Sequence, residues 1–148
     1  MTRDELTTKI RAVKRRKNLS WRQIAAEVSD ASVMLTTAAF LGQMRLSPDE
    51  AARAARVLEL DAEEAALLTE VPYRGSLPPG PPTDPLIYRF HELVNVYGTT
   101  WKALIEEEFG DGIMSAIDFD MTLERQPDQK GDRVKLAMTG KFLPYKRY

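Results

Sequence analysis

Gly110-Asp111-Gly112-Ile113-Met114-Ser115-Ala116-Ile117-Asp118-Phe119-Asp120-Met121-Thr122-Leu123-Glu124 is where this 148-residue chain changes its period. Before it, apolar residues recur at helical spacing; from Ile113 onward they alternate. Ile113, Ser115, Ile117, Phe119, Met121 and Leu123 share one face of a strand, and Met114, Ala116, Asp118, Asp120, Thr122 and Glu124 share the other. Gln126-Pro127-Asp128-Gln129-Lys130-Gly131-Asp132 is turn-rich, and Val134, Leu136 and Met138 alternate again, so a hairpin is predicted.

Upstream of this stretch, Leu86, Phe90, Leu93, Val94 and Tyr97 lie at i, i+4, i+7, i+8 and i+11, one face of a helix. Gly98 is read as its end. Thr99 or Thr100 then caps a second helix that buries Trp101, Leu104, Ile105 and Phe109 and stops at Gly110-Asp111-Gly112. Further back, the stretch 71–85 holds six of the chain's nine prolines, and the segment 73–85 within it reads as an extended linker.

Before the linker, residues 1–72 read as short helices. Leu6, Ile10 and Val13 form one apolar stripe. Ser20 with Gln23 makes a capping box, and Ser47-Pro48-Asp49-Glu50 and Asp61-Ala62-Glu63-Glu64 open two more helices. The fold class is therefore α+β. A helical bundle over 1–72 is followed, after the 73–85 linker, by a helix-helix-strand-strand unit over 86–148. Such a unit has a thin core, and a lone two-stranded ribbon is marginal in water. A second copy of the same unit is the simplest cover for its apolar faces, which predicts a homo-oligomer.

Composition excludes much chemistry. With no cysteine and one histidine there is no disulfide framework, no thiolate nucleophile and no Cys/His zinc site, and a Ser-His-Asp triad would have to use His91. No Gly-rich phosphate loop or EF-hand spacing occurs. No apolar run approaches the roughly 20 residues of a membrane helix. The N-terminus lacks the apolar core of a secretory signal, so a cytoplasmic location with no membrane partner is expected.

Ser20 to Ser29 and the helix after it resemble a repressor-type helix-turn-helix. The helix that would read bases, Ala31-Ser32-Val33-Met34-Leu35-Thr36-Thr37-Ala38-Ala39-Phe40-Leu41, has no Arg, Lys, Asn or Gln. Lys14-Arg15-Arg16-Lys17 could touch phosphate, although such a run is more often a solvated face. No nucleic-acid partner is expected; a DNA-binding regulator with a C-terminal oligomerisation domain is the alternative reading. In the second half, spacing alone makes Arg89 and Glu92 an i,i+3 surface ion pair, and Ser115 a buried hydroxyl satisfied by nearby backbone.

Several segments taken together resemble the cyanase (cyanate hydratase, cyanate lyase) family. They are Pro82-Thr83-Asp84-Pro85, Tyr88-Arg89-Phe90, Val96-Tyr97-Gly98-Thr99-Thr100, Lys102-Ala103-Leu104, Phe109-Gly110-Asp111-Gly112-Ile113-Met114-Ser115-Ala116-Ile117 and Gly140-Lys141-Phe142-Leu143-Pro144. Leu41-Gly42-Gln43 is typical of the family's helix-turn-helix-like domain, and the match is weakest over 122–133. The resemblance implies bicarbonate-dependent decomposition of cyanate to ammonia and carbon dioxide through carbamate. It implies catalytic residues Arg89, Glu92 and Ser115: Arg89 binding the anions, Ser115 positioning substrate, Glu92 orienting Arg89 or relaying a proton. It further implies no cofactor or metal beyond bicarbonate as co-substrate, and a decamer of interlocked dimers with sites between subunits.

Overall fold

In the computed structural model the described residues are 1–146. Six helices precede a two-stranded sheet: α1 (Arg3–Arg16), α2 (Trp21–Val28), α3 (Val33–Phe40), α4 (Pro48–Leu58), α5 (Ala62–Leu67), α6 (Pro85–Phe109), β1 (Gly112–Gln126) and β2 (Arg133–Pro144). This is the expected α+β class. The chain divides into two compact units. One comprises Met1–Ser76 with Asp120–Met138, and the other Leu77–Phe119 with the chain from Thr139 onward. The last two residues of the segment expected as 86–148 lie outside the described residues.

In the first unit the predicted caps set the helix starts. Ser20, Ser47 and Asp61 each accept the N–H three residues on while that residue's side chain reaches back, and Thr2 does the same for α1. Asn18, at φ 53°, turns the chain out of α1. The stripes Leu6, Ile10, Val13 and Ile24, Val28 meet Phe40, Ala54, Leu58 and Leu68 in a closed core. Arg3 fastens its rim, its guanidinium donating to the carbonyls of Ala39 (2.8 Å), Met44 (3.1 Å) and Leu67. These acceptors lie in the last turn of α3 (Ala39), in the loop after it (Met44) and at the end of α5 (Leu67). The far half of the hairpin belongs to this unit, with Arg22 donating to the carbonyl of Leu123 at 2.5 Å.

The second unit departs from expectation in one element. The break at Gly98 is absent: α6 runs unbroken for 25 residues, from the cap Asp84 with Pro85 in the first turn to Gly110, whose φ is 90°. A glycine inside a helix costs about 1 kcal/mol against alanine but does not end it unless the backbone turns left-handed. Gly98 stays helical and Gly110 supplies the turn. The second half is therefore helix-strand-strand.

The burial expected for this helix also fails within one chain. No residue of α6 is buried, and Trp101, Leu104 and Phe109 are all about half exposed. The reason is topological: among the described residues the only sheet is one two-stranded ribbon, too narrow to cover a seven-turn helix.

Candidate active site

Arg89 and Glu92 lie one turn apart in the first half of α6, so their side chains meet on one flank. A guanidinium N–H donates to the Glu92 carboxylate at 2.8 Å. The Arg89 guanidinium also lies over the ring of Tyr88, 5.7 Å from its centroid, and His91 packs beside the same ring at 5.6 Å. Arg89 and Glu92 are 61% and 49% exposed, so as a surface pair they contribute only about 0.2–0.5 kcal/mol to the helix. The arrangement leaves most of the guanidinium fork open to an anion.

Ser115 occupies a different environment. It is 5% exposed, whereas Ile117, two residues on and on the same face of a regular strand, is 97% exposed. The hydrogen bonds explain the break in alternation. The Ser115 hydroxyl oxygen accepts from the backbone N–H of Ile117 (3.0 Å) and of Asp118 (2.9 Å). Successive amides of a flat strand point to opposite sides, so two of them can reach one oxygen only where the strand kinks. Both hydroxyl lone pairs are thereby filled. The function left to this side chain is its O–H, which has no acceptor among the described residues.

The structure brings Arg89 and Glu92 together and places Ser115 on β1. No hydrogen bond or ion pair among the described residues joins Ser115 to the other two. The amides of Ile117 and Asp118 bear out the sequence reading of Ser115 as a buried hydroxyl satisfied by nearby backbone. Two glycines were missed from sequence. A side chain at Gly140 would stand 2.3 Å from the Ser115 carbonyl oxygen and 2.6 Å from Met114 Cγ, and one at Gly112 would stand 2.4 Å from the Leu143 carbonyl oxygen. A glycine inside a strand marks a close backbone approach, which is the signal that could have found them.

Elsewhere, the basic run at the end of α1 is divided. Arg16 and Lys17 pair with Glu59, and Lys14 lies over the Trp21 ring at 5.1 Å. No cluster of three or more His, Asp or Glu able to hold a metal ion occurs among the described residues.

Comparison with known proteins covers the whole chain. Residues 3–72 match the family described as "Cyanate hydratase, N-terminal", and residues 79–147 match "Cyanate lyase C-terminal domain". The chain is 62% identical to the cyanate hydratase of Ralstonia pickettii and 57% identical to that of Thiobacillus denitrificans, in each case over the full length of both proteins. The crystal structure of cyanase from T. urticae superposes with a TM-score of 0.82 at 37% identity, covering 94% of this chain and 96% of that one. Two family domains in order, full-length identity and a shared fold lead to one conclusion: the chain belongs to the cyanate hydratase (cyanate lyase) family of carbon–nitrogen lyases.

Proposed function

We propose that the protein catalyses the bicarbonate-dependent decomposition of cyanate to ammonia and carbon dioxide, at sites that Arg89, Glu92 and Ser115 form when copies of the chain assemble. Membership in the family supports the substrate. The observation that carries the site is the open Arg89 fork on a helix whose apolar side chains have no cover within their own chain. Leu86, Phe90, Leu93, Val94, Val96 and Tyr97 are each more than 40% exposed, an apolar strip far longer than a soluble single chain ordinarily leaves wet. A second copy is the proposed cover, and a decamer of interlocked dimers is the proposed assembly. The proposed setting is cytoplasmic; no helix among the described residues is long and apolar enough to cross a membrane.

The chemistry begins with two anions that repel one another. The Arg89 guanidinium offsets that repulsion and orients both by directional, charge-assisted hydrogen bonds. A bicarbonate oxygen attacks the cyanate carbon, and a C–O bond forms while a C–N π pair moves to nitrogen. Nitrogen takes up the bicarbonate proton and one from solvent, giving a carboxylated carbamate. Its bond between the bridging oxygen and the former bicarbonate carbon breaks, releasing carbon dioxide and leaving carbamate. One more proton releases ammonia and a second carbon dioxide. Charge moves from the carbon–nitrogen unit outward, so donors fixed beforehand at its periphery lower the barrier. Ser115 supplies one such donor through its O–H. Glu92 holds Arg89 in place or relays a proton to nitrogen. No metal or organic cofactor enters the scheme.

The test is direct. Purified protein with cyanate releases ammonia when bicarbonate is present and not when it is removed. Absence of release under both conditions, with salt-sensitive binding to duplex DNA, would favour a regulator instead.

A further inference from the structure

We propose that Gly140 is a positioning residue for the Ser115 hydroxyl, acting from the neighbouring strand without touching substrate. The proposal rests on the reading of Ser115 as part of the site. Its starting point is the kink in β1, where Ile117 and Asp118 amides converge on one hydroxyl oxygen. β1 nonetheless runs unbroken from Gly112 to Gln126, so something must hold the kinked stretch against its partner in register.

Gly140 provides that hold. A Cβ there would stand 2.3 Å from the Ser115 carbonyl oxygen, a distance that no side chain tolerates, and 2.6 Å from Met114 Cγ. β2 therefore lies against the backbone of Ser115 itself, closer than a pleat carrying side chains permits. Three residues before Ser115, Gly112 makes the same kind of approach to the Leu143 carbonyl and the Phe142 ring. Phe142 in turn packs on Phe109 at the end of α6, 5.3 Å between centroids. The β1 stretch from Gly112 to Ser115 is held by these two approaches, and the kink falls directly after it.

The consequence for Ser115 is polarity. With both lone pairs engaged by amides, the hydroxyl cannot act as a base-assisted nucleophile without breaking those bonds; it is a one-way donor aimed by the backbone. A side chain at position 140 pushes the Ser115 carbonyl away and rotates the peptide. The hydroxyl then loses its two amide partners and its aim. A displacement of about 1 Å in such a donor is enough to cost on the order of 100-fold in rate.

The experiment compares Gly140→Ala, Ser115→Ala and the double variant in the full-length protein. Each is measured for assembly by light scattering, for kcat and KM with cyanate and bicarbonate, and for hydrogen exchange at the Ile117 and Asp118 amides. The expected result for Gly140→Ala is an intact assembly, kcat lowered about 10- to 100-fold, and faster exchange at those two amides. The double variant is expected to be no slower than Ser115→Ala alone, because the glycine acts through the serine. Losses that multiply in the double variant, or a Gly140→Ala protein with normal kcat, overturn the proposal. Should Gly140→Ala fail to assemble, it is repeated in a Met114→Ala background, which removes the side-chain part of the clash; failure there too makes Gly140 a folding residue and likewise overturns it. If Ser115→Ala retains full turnover, the reading of the site itself falls, which the comparison separates from failure of the glycine assignment.

Discussion

The helical unit and the α6–hairpin unit obey the same rules and reach opposite outcomes. In the first, Leu6, Ile10, Ile24, Val28, Phe40, Leu58 and Leu68 are buried almost completely, and α1 to α4 each bury apolar residues inside one chain. In the second, a 25-residue helix buries nothing, and Tyr97 and Trp101 stack on each other at 6.5 Å while both remain about half exposed. The lesson concerns where folding energy is drawn from. The helical unit closes its core locally, whereas α6 and the ribbon carry apolar surface that only another copy can remove from water. Arg89 and Glu92 stand on that uncovered helix, so the proposed function makes catalysis depend on assembly.

The sharpest way to break the comparison is at the proposed site. Arg89→Ala and Ser115→Ala are each expected to lower kcat by about 100- to 1,000-fold, the loss typical of a fixed donor to developing charge, with the assembly unchanged by light scattering. Full activity in both variants would separate the uncovered helix from the chemistry. Next in size is Phe40→Ala, which empties the helical core and is expected to cost about 3–5 kcal/mol in chemical denaturation. Its counterpart, Leu93→Glu on α6, is expected to leave the helical unit's own unfolding nearly unchanged but to dissociate the protein, read as a fall in mass. If both variants lower stability alike and neither alters mass, the two units are not different in kind.

A smaller effect concerns pH. Burial pushes the Glu50 carboxyl upward, but hydrogen bonds from Ser29 and Ser47 and the charge of Arg53 outweigh it and leave its pKa below the ordinary 4.5. A carboxylate with a depressed folded-state pKa contributes stability above the unfolded value and loses it as pH falls through the folded value. Denaturation between neutral pH and about pH 3 should therefore show a loss for the native protein that is diminished in Glu50→Gln, which starts about 1 kcal/mol less stable. An unchanged slope would remove Glu50 from that account. The smallest expected effect is Gly98→Ala: its Cβ would meet only Val94 Cγ1 at an ordinary 3.7 Å, so it should stabilise α6 by about 0.4–1 kcal/mol.

Legibility from sequence followed the range of the forces involved. The caps at Ser20, Ser47 and Asp61 are contacts across three residues, and each was readable from its own neighbours. The stripe Leu6, Ile10, Val13 was readable because its partners lie in the same chain. Gly98 misled because a glycine's effect depends on the backbone it adopts, and the continuation of α6 on both sides held it helical. Alternation in β1 held at Ser115, Phe119 and Met121, each more covered than its neighbours, and broke at Ile117, since a hydroxyl competing for two amides leaves no periodic trace. Arg89, Glu92 and Ser115 became candidates only through family resemblance. Taken singly they are a surface ion pair and a buried serine, and no periodicity or spacing in the sequence links Ser115 to the other two.

The most direct measurement is a crystal structure of the assembled protein with azide, a linear anion of the same shape and charge as cyanate. The account predicts the anion in contact with an Arg89 guanidinium and a Ser115 O–H, with Glu92 beside that arginine and α6 covered by a neighbouring copy. Those three side chains lying far apart in every copy, with the anion held elsewhere, would contradict it.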